Sequence, residues 1–162
     1  MNKLLFTLLL AIGTQFSSFA QIEMKSEAEI LQGIEWLTTN PVDQTDSLFV
    51  GIVSDNIMYQ MMTYPGLPVY IGALSELMDS DFNYEYLDEM NIVFVGNMLA
   101  QKIKTDTNFN YKYASYQSIL KVLNYYERLL SLHPEHTNPV LDEYSAMKKE
   151  DLEKRIKKLA KK

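Results

Sequence analysis

The sequence predicts an all-α fold: a single-domain bundle of five to six helices, mostly antiparallel neighbours, that follows a cleaved signal peptide. Three observations carry this. Apolar residues recur at helical spacing along the chain, and no alternation of period two survives. Capping residues and prolines stand where those stretches begin and stop. The chain has 162 residues, 47% hydrophobic and none of them cysteine, so packing alone must hold the core.

Residues 1–20 read as an export signal. Lys3 supplies a positive start, 4–12 an apolar run, and Ser18-Phe19-Ala20 the small–x–small cleavage pattern. The apolar run is short of the roughly 20 residues that span a bilayer. Cleavage after Ala20 leaves 21–162 as the helical domain, periplasmic or extracellular and soluble. No cysteine follows the cut, so it is not a lipoprotein.

The first helix opens on Ser26-Glu27-Ala28-Glu29, a capping box, with Ile30, Ile34 and Leu37 on one face. Asn40-Pro41 stops it, because a residue before proline is pushed out of the α region. A second helix covers about 46–63, with Phe49, Val53, Ile57 and Met61 spaced by four. Tyr64-Pro65-Gly66-Leu67-Pro68 is a turn, and Pro68 suits the first position of a short third helix carrying Val69, Ile71, Leu74, Leu77 and Met78.

The fourth helix lies within 79–104. Its opening phrase, Asp79-Ser80-Asp81-Phe82-Asn83-Tyr84, recurs 27 residues later as Asp106-Thr107-Asn108-Phe109-Asn110-Tyr111. Asn83 and Asn110 are expected as N-caps, with Phe82 and Phe109 as hydrophobic staples against Leu87 and Ala114. Ile92-Val93-Phe94-Val95 is apolar on every side, which places this helix at the centre of the bundle. The fifth helix runs from about 111 to 132, with Tyr116, Ile119, Leu123, Tyr126 and Leu130 inward. Asn138-Pro139 starts a basic, amphipathic C-terminal helix over about 139–162, with a thin apolar face of Leu141, Tyr144, Leu152, Ile156 and Leu159. Gly33, Gly51, Gly72 and Gly96 fall inside these helices and suggest close helix crossings, the alternative being that some of them mark breaks in the helices.

The net charge is −6, unevenly spread: the segment from Met147 onward carries +5, and 21–146 carries −12. An acidic body does not suit nucleic acid. The basic segment 148–162 has a charge suited to an anionic membrane surface. It lacks the Trp or Phe of an inserting helix, so packing on the acidic body of its own chain, with a solvated outer face, is the favoured reading.

No cofactor signature is present. There is no cysteine nucleophile, no G-x-S-x-G and no phosphate-cradling glycine loop, and the paired carboxylates merge into an acidic surface, so no catalytic residue is assigned. The expectation is a non-catalytic protein that binds a protein partner or serves structurally. The binding candidates are Tyr84, Tyr86, Tyr111 and Tyr113 at the two matched helix starts, since tyrosine combines an apolar ring with a polar tip. The segment Met58-Tyr59-Gln60-Met61-Met62-Thr63-Tyr64 reads as core filler.

The alternative is metal binding, at Asp79, Asp81 and Asn83 for a hard cation, or at His133, Glu135 and His136 for a transition metal. The oxygen spacing at 79–83 opens a calcium loop, but Tyr84 occupies the sharp-turn glycine position and Met90 the bidentate one. The histidines, the chain's only two, sit at a helix stop rather than at i, i+4 on one face. A small hydrolase is the third reading.

Overall fold

The structure, a computed structural model, describes residues 26–41, 47–67, 72–80 and 84–160; the side chains of 47–50 and of Ser80 are outside that description. The export signal read at 1–20 lies outside the described residues, as do Pro68, Val69 and Ile71 and the side chain of Phe49. Among the described residues there are seven α-helices and no strand: α1 Glu27–Thr39, α2 Ser47–Thr63, α3 Ser75–Ser80 after a 3-10 turn at Gly72–Leu74, α4 Leu87–Thr105, α5 Tyr111–Leu132, α6 Pro139–Ala146 and α7 Lys149–Leu159. No described helix is long and apolar enough to cross a membrane.

The caps form where local chemistry demands them. The Ser26 hydroxyl accepts from the Glu29 amide at 3.3 Å, and Glu29 Oε2 accepts from the Ser26 amide at 3.0 Å. Asn110 caps α5 by accepting from the Tyr113 amide at 3.0 Å. Asn138 caps α6 through the amides of Val140 and Leu141, with Pro139 at the first helical position. At Tyr64-Pro65-Gly66-Leu67 the Leu67 amide donates to the Tyr64 carbonyl at 3.4 Å, and Gly66 takes φ +71°. Proline second and a left-handed glycine third are what a type II turn requires.

Helix α4 is the centre. It packs against α1, α2 and α5, and eight consecutive residues from Val93 to Ala100 are buried. A helix surrounded on three sides needs apolar residues on every face, which is why it lacks an amphipathic stripe. Its one buried polar side chain in this run, Asn97, donates to Thr38 Oγ1 at 2.9 Å and to the Val93 carbonyl at 2.8 Å. Thr38 in turn donates to the Ile34 carbonyl, so α1 and α4 are joined without an unsatisfied donor.

The close-crossing reading of the glycines holds at Gly96. A methyl group there would meet Ile34 at 3.4 Å and Ile57 at 3.5 Å, where α1, α2 and α4 converge. It does not hold at Gly51, which has nothing within 4 Å of an added Cβ. Gly72 opens the 3-10 turn rather than a crossing. Gly51→Ala is therefore expected to stabilise the fold by about 0.5–1 kcal/mol, read as a higher urea midpoint, because alanine loses less backbone entropy in a helix.

Three expectations are corrected. The cap of α4 is Tyr86, without a side-chain hydrogen bond, not Asn83, which lies outside the described residues together with Phe82. The reason is burial of both Tyr84 and Tyr86: residues two apart point to different sides of a helix, so a non-helical stretch is needed to turn both rings inward. The second correction is that 139–162 is not one helix. Backbone at Met147 and Lys148 is extended, so α6 packs on α3 and α5 while α7 packs on α5 and the Gly72–Leu74 turn. The third concerns the Met58–Tyr64 segment. Met61 is buried in the core and Tyr64 packs partly against it, whereas Met58, Tyr59 and Met62 face outward.

The basic segment docks on its own chain, as favoured from charge. Leu152, Ile156 and Ala160 are buried, and Arg155 bridges Glu76 on α3 and Glu143 on α6.

Candidate functional site

Three features stand apart from the packed core: an imidazole–carboxylate cluster just beyond α5, a bare apolar face on α2, and an open groove of mixed charge between α5 and α7.

The cluster forms because α5 stops. The His133 amide makes the last helical bond, to the Leu129 carbonyl at 2.8 Å, and the His136 amide donates to the His133 carbonyl at 3.2 Å. The resulting tight turn, with Pro134 in its favoured second position, folds residues i and i+3 toward each other. Residues 133–136 thus converge without sharing a helical face. Glu135 Oε1 lies 3.7 Å from His133 Nδ1 and 3.3 Å from His136 Nε2. One ligand atom from each of His133, Glu135 and His136 falls within 4.8 Å of the others.

The residues leading into α4 supply the second wall. Glu85 Oε2 lies 3.3 Å from His136 Nδ1, the nitrogen facing away from Glu135. The Tyr86 ring meets the His136 imidazole edge-on, 5.0 Å between centroids. The buried Tyr84 hydroxyl donates to the His136 carbonyl at 3.0 Å. Behind the turn, the Tyr126 hydroxyl accepts from the buried Asn138 amide at 2.7 Å and donates to Asp142 Oδ1 at 2.7 Å.

Replacing Tyr126 with Phe leaves the Asn138 N–H without that acceptor. A loss of about 1–3 kcal/mol is expected in a denaturant titration. Burial is the main cause that raises the hydroxyls of Tyr84, Tyr126 and Tyr144 above their ordinary value of 10, Tyr126 to about 12. The folded state keeps these protons longer than the unfolded chain does. Their stabilising effect is full below pH 10; that of Tyr126 is lost as pH rises through about 12 and that of the other two at higher pH, so the melting temperature should fall from pH 10 upward.

The four tyrosines do not form one surface. Tyr84 and Tyr86 are buried beside the turn at the C-terminal end of α5, whereas Tyr111 and Tyr113 begin α5. At 1.5 Å per residue the two pairs sit about 33 Å apart along a 22-residue helix. Tyr113 is exposed and Tyr111 partly buried. Of the hard-cation candidates, Asp79 is exposed in the last turn of α3, and Asp81 and Asn83 lie outside the described residues.

Helix α2 presents the other feature. Its 17 residues include one charge, Asp55, and its inner stripe of Val53, Ile57 and Met61 is buried. On the outside, Tyr59 is 59% and Met62 71% exposed, with Met58 beside them. An apolar helix is usually covered all round. The missing outward alternation of charge was the sequence signal for this face.

A third feature, an open groove lined by Lys112, Glu150, Glu153, Lys154, Lys157 and Lys158, interleaves both signs, with Lys157 paired to Glu153. No family model, no curated protein and no solved structure matches this chain.

Proposed function

We propose that this is an exported, non-catalytic helical protein that acts by binding a protein partner through the outer face of α2. The observation that carries the reading is the solvent-facing run of Met58, Tyr59 and Met62 on a helix with a single charge. Thioether chains adapt to varied surfaces, and tyrosine is enriched at interfaces. The expected partner offers an apolar groove with basic residues at its rim, because 21–146 carries −12 and the charge on α2 is acidic. The same charge opposes pairing with a second copy. The export reading rests on Lys3, the apolar run 4–12 and Ser18-Phe19-Ala20.

The test places a benzoylphenylalanine crosslinker at Met62 and, as a control, at the exposed Ser145 of α6. One discrete adduct is expected from Met62 in an envelope extract, none from Ser145, and loss of the adduct when Met58→Glu is added to a chain that still melts cooperatively. An adduct that is a dimer of this chain, or one indifferent to Met58→Glu, contradicts the reading.

A further inference from the structure

We propose that His133, Glu135 and His136 bind a divalent first-row transition metal through three protein atoms, with Glu85 as the residue that positions His136 from behind. The site is independent of the α2 face.

The metric fits. Bonds of about 2.0–2.1 Å to nitrogen and oxygen arranged tetrahedrally place neighbouring ligand atoms about 3.4 Å apart. The Glu135 oxygen is already 3.3 Å from His136 Nε2 and 3.7 Å from His133 Nδ1. The remaining edge, between the two imidazoles, closes within 4.8 Å. A rotation of His133 would bring the three atoms into a coordinating triangle. Its imidazole is free to make it, being 36% exposed.

The chemistry fits as well. A histidine ligand needs an unprotonated nitrogen toward the metal and a proton on the other, held by an acceptor. Glu85 is placed at Nδ1 of His136, on the side opposite Glu135, so it can accept that proton and leave Nε2 bare. Because it approaches the far nitrogen, Glu85 cannot join the same coordination sphere. Tyr86 packs edge-on against the His136 ring, and Tyr84 holds the His136 carbonyl, so ring and backbone are both fixed by the residues leading into α4.

Two imidazoles and one carboxylate select zinc, copper or nickel over calcium and magnesium, which prefer a shell of oxygens. Glu135 is 64% exposed, so water can complete the coordination.

Calorimetric titration of the tag-free protein with zinc chloride tests this. One zinc per chain is expected, undiminished by millimolar calcium or magnesium. His136→Ala and His133→Ala should each weaken binding at least tenfold. Glu85→Gln, which touches no metal, should weaken it roughly 10–100-fold. Circular dichroism of each variant keeps loss of fold distinct from loss of site, and His133→Asn repeats the test with a smaller change of shape. Absence of zinc binding, or zinc binding unaffected by both alanine variants, overturns the site. Zinc binding that depends on both histidines but not on Glu85 overturns the positioning role.

Discussion

Deleting residues 147–162 is expected to abolish cooperative unfolding, and the single replacement Ile156→Asp to come close to it. Helix α7 looks dispensable by composition, since eight of the last sixteen residues are basic. In the fold it closes the core: Ile156 is 0% exposed, Leu152 3% and Ala160 1%. Truncating a buried Ile to Ala alone costs about 2–5 kcal/mol, and a buried unpaired carboxylate costs more. Domains of this kind have about 5–15 kcal/mol of total stability, so the aspartate alone consumes much of the margin.

The polar contacts of α7 matter less. Arg155 Nη2 lies 2.7 Å from Glu76 Oε2, its Nη1 reaches Glu143, and the Tyr144 hydroxyl donates to Glu76 at 2.8 Å. With Arg155 30% and Glu143 52% exposed, water screens the pairs, and each contributes about 0–1 kcal/mol. Arg155→Ala should therefore be milder than Ile156→Ala in the same urea titration. A truncated chain that melts like the full one would show α7 to be ornamental.

Phe94→Ala is expected to cost about 3–5 kcal/mol with an unchanged denaturant slope. Phe94 is wholly buried in the middle of α4, where α1, α2 and α5 all press on the same helix. No neighbour can collapse into the space without leaving its own contacts. Gly96→Leu, two residues on, should also destabilise, by about 1–3 kcal/mol of overpacking, because Ile34 and Ile57 already stand in contact with the position. A loss below about 1 kcal/mol for Phe94→Ala would mean that α4 is not the centre.

What could be read from the chain was local. The capping box at Ser26 and Glu29, the cap at Asn110 and the Asn138-Pro139 start each need only a few neighbouring residues, and each forms where expected. The unbroken apolar run from Ile92 to Val95 likewise stated that α4 has no solvent side. The break at Met147 was written more faintly. A continuous stripe through Leu141, Tyr144, Leu152 and Ile156 would put Lys148 inward, and that cation marks the joint. The tyrosine pairs lie apart because matching starts on successive antiparallel helices land at opposite ends of a bundle.

The site was half legible. His133, Glu135 and His136 are neighbours in sequence, and a turn, not a helix, brings them together. Glu85 is 51 positions from His136, and no local pattern predicts that α4 would begin beside the end of α5. The outward Met58 and Met62 could not be told from core by residue type. Methionine serves both roles; the scarcity of charge on α2 was the one sequence signal, and the position of α2 at the edge of the bundle decides.

Native-state hydrogen exchange tests the account most directly, since it rests on one cooperative core with α4 inside and α7 closing it. The amides of Val93–Ala100 and of Leu152–Leu159 should exchange with the same high free energy, equal to that of global unfolding. Exchange of the α7 amides through a much cheaper local opening, while α4 stays protected, would contradict it.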